Sequence, residues 1–269
     1  MARFLGRVWW SRRADRPSGS APPPPSLRPD LPLPFGSKVN WFVIKTVDVQ
    51  SVAEALGLTG LRPSNWSYGI DAAYQSSPER PITVFISPPL EGWTFVVGEG
   101  LPYPADGDRN GGNLPFGKRF RTLFDELNRR FEEVQFFGSY RVVDFTAWAW
   151  ARNGKTIRVF SYVGSDGEVL ANEGAQTPEE KSLGLIDPGL RNPADAGDYL
   201  SEQQEALMEG EEEEAADAGE GDGDGVTPKA FPDEDDVIEL AGLWSLNPYE
   251  LEALNPEPAL GWLGELSRE

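Results

Sequence analysis

The chain has 269 residues and a formal net charge of −20, from 24 Lys and Arg against 44 Asp and Glu, and it contains no His and no Cys. Without Cys there are no disulfides, thiolate nucleophiles, Cys-ligated zinc sites or iron–sulfur clusters. Without His there is no Ser-His-Asp catalysis, no imidazole metal ligation and no ordinary switch near neutral pH, so any chemistry must run on carboxylates, Lys, Tyr, Ser or an oxygen-held metal.

The charge is unevenly placed: residues 1–40 carry +5, residues 41–160 carry 0 and residues 161–269 carry −25. At the amino terminus Arg3, Arg7, Arg12 and Arg13 interleave with Phe4, Leu5, Val8, Trp9 and Trp10. Val8–Trp10 is too short for a signal-peptide core, and the segment reads as a basic, aromatic start able to meet a membrane surface or an acidic partner. Pro17 to Pro34, with the run Pro22–Pro25, favours an extended linker because each ring fixes φ and removes a donor.

Between Trp41 and Leu170 lie 5 of the 9 Trp and 11 of the 14 Phe, enough apolar area to offset the entropy of ordering a domain. Val39–Thr46 reads as a strand, and Asp48 as the N-cap of a helix with Val49, Val52, Ala53 and Leu56 on one face. Arg62 to Gly69 lacks strand alternation and reads as a loop, which makes Trp66 and Tyr68 candidate recognition residues. Ile82–Ser87 and Trp93–Val97 read as strands joined by turn chemistry at Pro88–Gly92.

Gly112-Asn-Leu-Pro-Phe-Gly117-Lys118 satisfies the G-x-x-x-x-G-K part of a phosphate-binding loop. Against it, Arg119 stands where magnesium binding needs Ser or Thr, and Pro115 removes a backbone donor. Lys118, Arg119 and Arg121 also make a candidate patch for phosphate or an acidic partner, set against interspersed acids that suit a solvated helix face. Phe116, Phe120, Leu123, Phe124, Leu127 and Phe131 form one continuous stripe and predict a helix. A strand at Val134–Phe137 follows, giving the β-α-β-β-α-β order of a ferredoxin-like split βαβ unit, an architectural analogy without functional content.

Asn153-Gly154 is a type I′ hairpin signal; it pairs Arg152 with Lys155 and predicts Trp150 opposite Ile157 and Trp148 opposite Val159 on one buried face. Asp166-Gly167 repeats the device and predicts Val163 opposite Leu170, so residues 142–171 read as a three-stranded meander. Asp144 sits on the Trp148 face in this register and is the candidate acid, weighed against an exposed position at the strand edge. Thr177-Pro178-Glu179-Glu180 is a capping box with Pro at N1.

Residues 187–232, with Glu211–Glu214 and Gly221–Gly225, are expected to be disordered, or to reach back onto the basic helix as an autoinhibitory tail. Counting an EF-hand from Glu220 places Phe231 where a bidentate Glu is required, so calcium binding is not expected there. Asp236–Trp244 and Asn247–Leu254 read as two short helices. The stripe Val237, Leu240, Ala241 and Trp244 must dock on something, because so short a segment does not fold alone.

These readings predict an α+β fold with an antiparallel-rich sheet and helices mainly on one face. The expected organisation is a basic, Pro-rich segment (1–38), a globular domain (39–186), an acidic linker (187–232) and a short helical segment (233–269). The function expected is that of a non-enzymatic cytoplasmic binding protein, inhibitor- or immunity-like toward a basic protein partner, with no cofactor and no metal site. Nucleic acid is disfavoured by the charge. The alternatives are a phosphate- or nucleotide-binding enzyme using Gly112–Lys118 and a membrane-surface adapter anchored by residues 1–13.

Overall fold

The structure, a computed structural model, describes residues 27–75, 77, 79–105, 115–164, 167–217 and 227–268. Val39–Lys45 forms strand β1, and every residue from Val39 to Ile44 is buried, the pattern of a strand covered on both faces. The other strands are β2 (Thr59–Ser64), β3 (Ile82–Ile86), β4 (Trp93–Gly98), β5 (Glu133–Tyr140), β6 (Phe145–Arg152), β7 (Lys155–Val163), β8 (Glu168–Glu173) and β9 (Gly261–Leu266). They make one antiparallel sheet in the order β2-β9-β3-β4-β1-β5-β6-β7-β8. Six helices accompany them among the described residues: α1 (Val49–Ala55), α2 (Trp66–Ala73), α3 (Pro115–Arg130), α4 (Pro178–Ser182), α5 (Pro193–Asp217) and α6 (Glu234–Trp244). The fold is α+β, and none of these helices is long and apolar enough to cross a membrane.

The split βαβ order sits at the centre: β1, α1, β3, β4, α3 and β5 place their strands side by side as β3-β4-β1-β5. The meander β6-β7-β8 extends one side. On the other, β9 slots between β2 and β3, so the carboxy-terminal segment, expected to be helical, also contributes a strand to the sheet. Glycine makes that insertion possible, since a Cβ at Gly261 would lie 2.2 Å from the Ile86 carbonyl oxygen.

Helices α1 and α3 cover one face, and α2, α4, α5 and α6 cover the other. On the first face Phe120 meets Phe42, Phe136 and Phe124 with centroids 6.3, 4.9 and 5.2 Å away. Each such ring contributes about 1.5–3 kcal/mol by leaving water. Ala147, Ala149 and Ala151 of β6 belong to that same core. On the second face Trp41, Phe137, Trp244 and Trp150 follow one another in ring contact, and Trp148 stacks on Phe160 within the same core.

Local signals are realised closely. Asp48 caps α1 by accepting from the Ser51 N–H at 3.0 Å, and Asn153 and Gly154 take φ of 52° and 76° in the hairpin that pairs Arg152 with Lys155. Two registers depart from expectation. A β-bulge between Trp150 and Ala151 sets Trp150 opposite Arg158 and Trp148 opposite Phe160, which moves Val159 to the other face. Val163 pairs with Glu168 instead of Leu170, because the turn is longer than two residues.

The segment expected to be a disordered linker contains α5, whose Ala196 and Leu200 are buried on the sheet. Of the second carboxy-terminal helix only a 3-10 turn, Leu251–Leu254, is present.

Helix α2 lies so close to β3 that a Cβ on Gly69 would fall 2.2 Å from the Phe85 ring. Gly69→Ala should therefore destabilise by about 1–3 kcal/mol despite its gain in helix propensity. The check is urea unfolding, with Gly69→Ala/Phe85→Leu expected to recover most of the loss.

Candidate functional site

A concavity of mixed character lies between α4, α6 and the turn that follows α6. Its construction starts at α4, only five residues long and positioned from outside itself. The Thr177 hydroxyl accepts from the Glu180 N–H at 3.2 Å, and the Glu180 carboxylate accepts from the Thr177 N–H at 2.7 Å. The same carboxylate accepts from the Trp148 indole N–H and from Arg158 Nε, both at 2.9 Å. Arg158 also donates to Asn172 Oδ1 at 2.7 Å and the Gly174 carbonyl at 3.0 Å.

Helix α6 forms the facing wall. Asp233 and Asp236 reciprocally cap its start, and Asp236 is 2.5 Å from the Lys229 ammonium. Burial raises the Asp236 carboxyl above its usual range, with Lys229 pulling the other way. At its far end the fully buried Gln135 of β5 donates to the Trp244 carbonyl at 3.1 Å and accepts from the Ser245 hydroxyl at 2.7 Å. The helix is thus stopped by a sheet side chain.

The returning chain is clamped to the amino-terminal strip. Ser37 donates to Glu234 Oε1 at 2.7 Å and shares a 2.6 Å hydrogen bond with the Tyr249 hydroxyl, while Ser139 lies 3.0 Å from Glu234 Oε2. Burial raises the Tyr249 hydroxyl, and the Ser37 bond opposes the shift.

Between these walls is a groove of about 540 Å³. Leu183, Leu243, Leu246, Leu251 and Leu254 supply its apolar lining, and Glu239 and Glu250 stand at its rim. None of its lining residues is basic. Leu243 keeps 51% of its surface in water, although the rest of α6 buries Val237, Leu240, Ala241 and Trp244 as the stripe predicted. Such a surface has no nucleophile–base pair; it can accept apolar side chains and a neighbouring positive charge. Among the described residues no group of three or more Asp and Glu could hold a metal.

The residues singled out from sequence lie elsewhere and do not converge. Trp66 is not in a loop: it is the first residue of α2, 1% exposed, edge-on to Phe85 at 5.3 Å. Asn65 caps that helix, and the Asp30 carboxylate accepts from the Trp66 and Ser67 N–H groups at 2.6 and 3.0 Å. The spacing Trp66, Ile70, Ala73 behind an Asn cap is the signal that would have found it. Tyr68 is half-buried against the same core.

Lys118 is exposed on the first turn of α3, and Gly112 lies outside the described residues. Gly117 serves a close approach, since a Cβ there would be 2.1 Å from the Ala105 carbonyl oxygen. Arg119 donates to the Ser267 carbonyl, and burial beside Arg268 lowers its affinity for the proton. Arg121 instead pairs with Glu173 at 2.9 Å. Two residues apart, these guanidinium groups diverge rather than form a cradle, and an all-antiparallel sheet does not give the loop its parallel βα context.

Asp144 is exposed in the β5–β6 turn with φ of 49°, off the Trp148 strand face. Phe231, the position that failed the calcium count, stacks on Tyr162 at 4.5 Å. No family model, curated protein or solved structure matches the chain.

Glu180→Gln should cost about 3–5 kcal/mol, because it leaves the buried Arg158 charge without its counter-ion; chemical denaturation reads this directly. Burial, aided by the Asp144 charge, pushes the Tyr162 hydroxyl up to about 12. Folding thus favours the neutral phenol: its stabilising contribution is full below the ordinary tyrosine range and is lost as pH rises from about 10 toward about 12. Tyr103 and Tyr249 are also raised by burial, so absorbance titration at alkaline pH should show a late tyrosine component that is reduced, not abolished, in Tyr162→Phe.

Proposed function

We propose that this chain is a non-enzymatic binding protein whose recognition surface is the groove between α4, α6 and residues 246–254. Its ligand is a cationic protein segment that presents apolar side chains. The observation that carries the reading is the combination, at one open concavity, of a leucine lining with Glu239 and Glu250 at the rim and no lining cation. Burial of apolar side chains supplies affinity at about 25 cal/mol per Å². The rim carboxylates, in water, contribute mainly steering and choice of partner.

The net charge of −20 adds a long-range attraction for a basic partner, as an inhibitor or immunity protein attracts a cationic enzyme. The partner would be met in the cytoplasm. An amphipathic helix laid in the groove, with anchors at i, i+3 or i+4 and i+7, is the geometry that suits a short, open, leucine-lined channel.

A designed Leu/Lys amphipathic peptide is expected to bind the chain one to one, more weakly as salt is raised. Leu243→Arg should abolish the interaction, and Glu239→Lys/Glu250→Lys should reduce it at least about tenfold by replacing attraction with repulsion. Calorimetric titration checks both; unchanged affinity in both variants would contradict the reading.

A further inference from the structure

The groove calls for a cationic, apolar segment, and this chain carries one. Residues 1–13 contain four Arg and no acid, together with Phe4, Leu5, Val8, Trp9 and Trp10. Phe4, Leu5, Val8 and Trp9 recur at i, i+1, i+4 and i+5, the spacing of one helical face. Resting on the reading of the groove given above, we propose that residues 1–13 occupy it in the free chain and exclude other cationic segments until displaced.

The connection is long enough. The described chain begins at Leu27, and Asp30 bridges to Ala259, five residues beyond Leu254 on the groove wall. Five residues span at most about 18 Å, and Leu27 to Asp30 at most about 11 Å. Residues 14–26, 13 in number and rich in Pro, cover about 40 Å at the rise of an extended proline-rich chain. The departure point is fixed, because Asp30 is held at the start of α2 by the Trp66 and Ser67 N–H groups and by the Ser67 hydroxyl at 2.6 Å. Both α2 and the walls of the groove lie on the same face of the sheet.

Charge selects this segment among those the chain offers. The groove rim carries Glu239 and Glu250, residues 161–269 carry −25, and the amino-terminal 40 residues carry +5. A tether of this length holds the segment at an effective concentration of about 1 mM. An intrinsic affinity of about 100 μM then fills the groove about nine-tenths of the time, so a competing cationic segment binds about tenfold more weakly.

The test compares the full chain with a chain lacking residues 2–13, using a synthetic peptide of residues 1–13 as probe. Every described residue lies downstream of the deletion, so the shortened chain keeps the sequence of every element of the fold. The peptide is expected to bind the shortened chain one to one, to bind the full chain about tenfold more weakly, and to lose binding in the shortened Leu243→Arg variant. Equal affinity for the two chains would overturn the proposal. Failure of this peptide alone, with the Leu/Lys peptide still bound, overturns the proposal and leaves the groove reading standing; failure of both peptides overturns both. On phosphatidylcholine–phosphatidylserine vesicles, full-length Leu243→Arg is expected to partition more strongly than the unaltered chain, because its head is released. Equal, strong partitioning of the two would assign the head to membranes instead.

Discussion

Two opposite charges, Arg158 and Glu180, lie 2.9 Å apart and are each 1% exposed. Burying both is unfavourable unless their remaining hydrogen-bonding capacity is met. Here it is met by an indole N–H, a backbone N–H, an Asn side chain and a carbonyl oxygen. The pair determines where α4 sits, because a five-residue helix has no stability of its own. The position of α4 in turn sets one wall of the groove, through Ser182 and Leu183. Losing the pair would thus remove a structural element and one wall of the groove together.

The second wall depends on contacts that are equally remote in sequence. Gln135 stops α6, Glu234 ties it to Ser37 and Ser139, and Tyr249 closes the same cluster from the returning chain. These links join residues up to 212 positions apart and draw the amino-terminal strip, the sheet and the carboxy-terminal segment into one unit. With β9 inside the sheet, the two ends of the described chain meet near Asp30 and Ala259. That is the geometry that lets a basic head and an acidic-rimmed groove on one chain come within reach of each other.

What was readable from sequence was local. Asp48, Asn153-Gly154 and Thr177–Glu180 specify their turns and caps by nearest-neighbour chemistry, and the α3 stripe announces its buried face. The bulge after Trp150 was not readable, since it adjusts the hairpin to side chains such as Arg158 whose partner lies 22 residues away. Nor was β9, because Gly-Trp-Leu-Gly-Glu-Leu carries no β-branched residue and becomes a strand only where β2 and β3 leave a slot. The candidate site was half legible. The α6 stripe showed a docking face, but Leu243, which the groove uses, lies off that stripe. Trp66 reads from sequence as a loop aromatic and is instead core, in a helix capped by Asn65 and by a carboxylate 36 residues upstream.

The most direct measurement is methyl and amide chemical-shift mapping of the chain during titration with a Leu/Lys amphipathic peptide. Perturbations should concentrate at Leu183, Leu243, Leu246, Leu251 and Leu254 and at the Glu239 and Glu250 amides. Shifts centred on Lys118 and the start of α3, with the groove leucines unmoved, would contradict the assignment of the recognition surface.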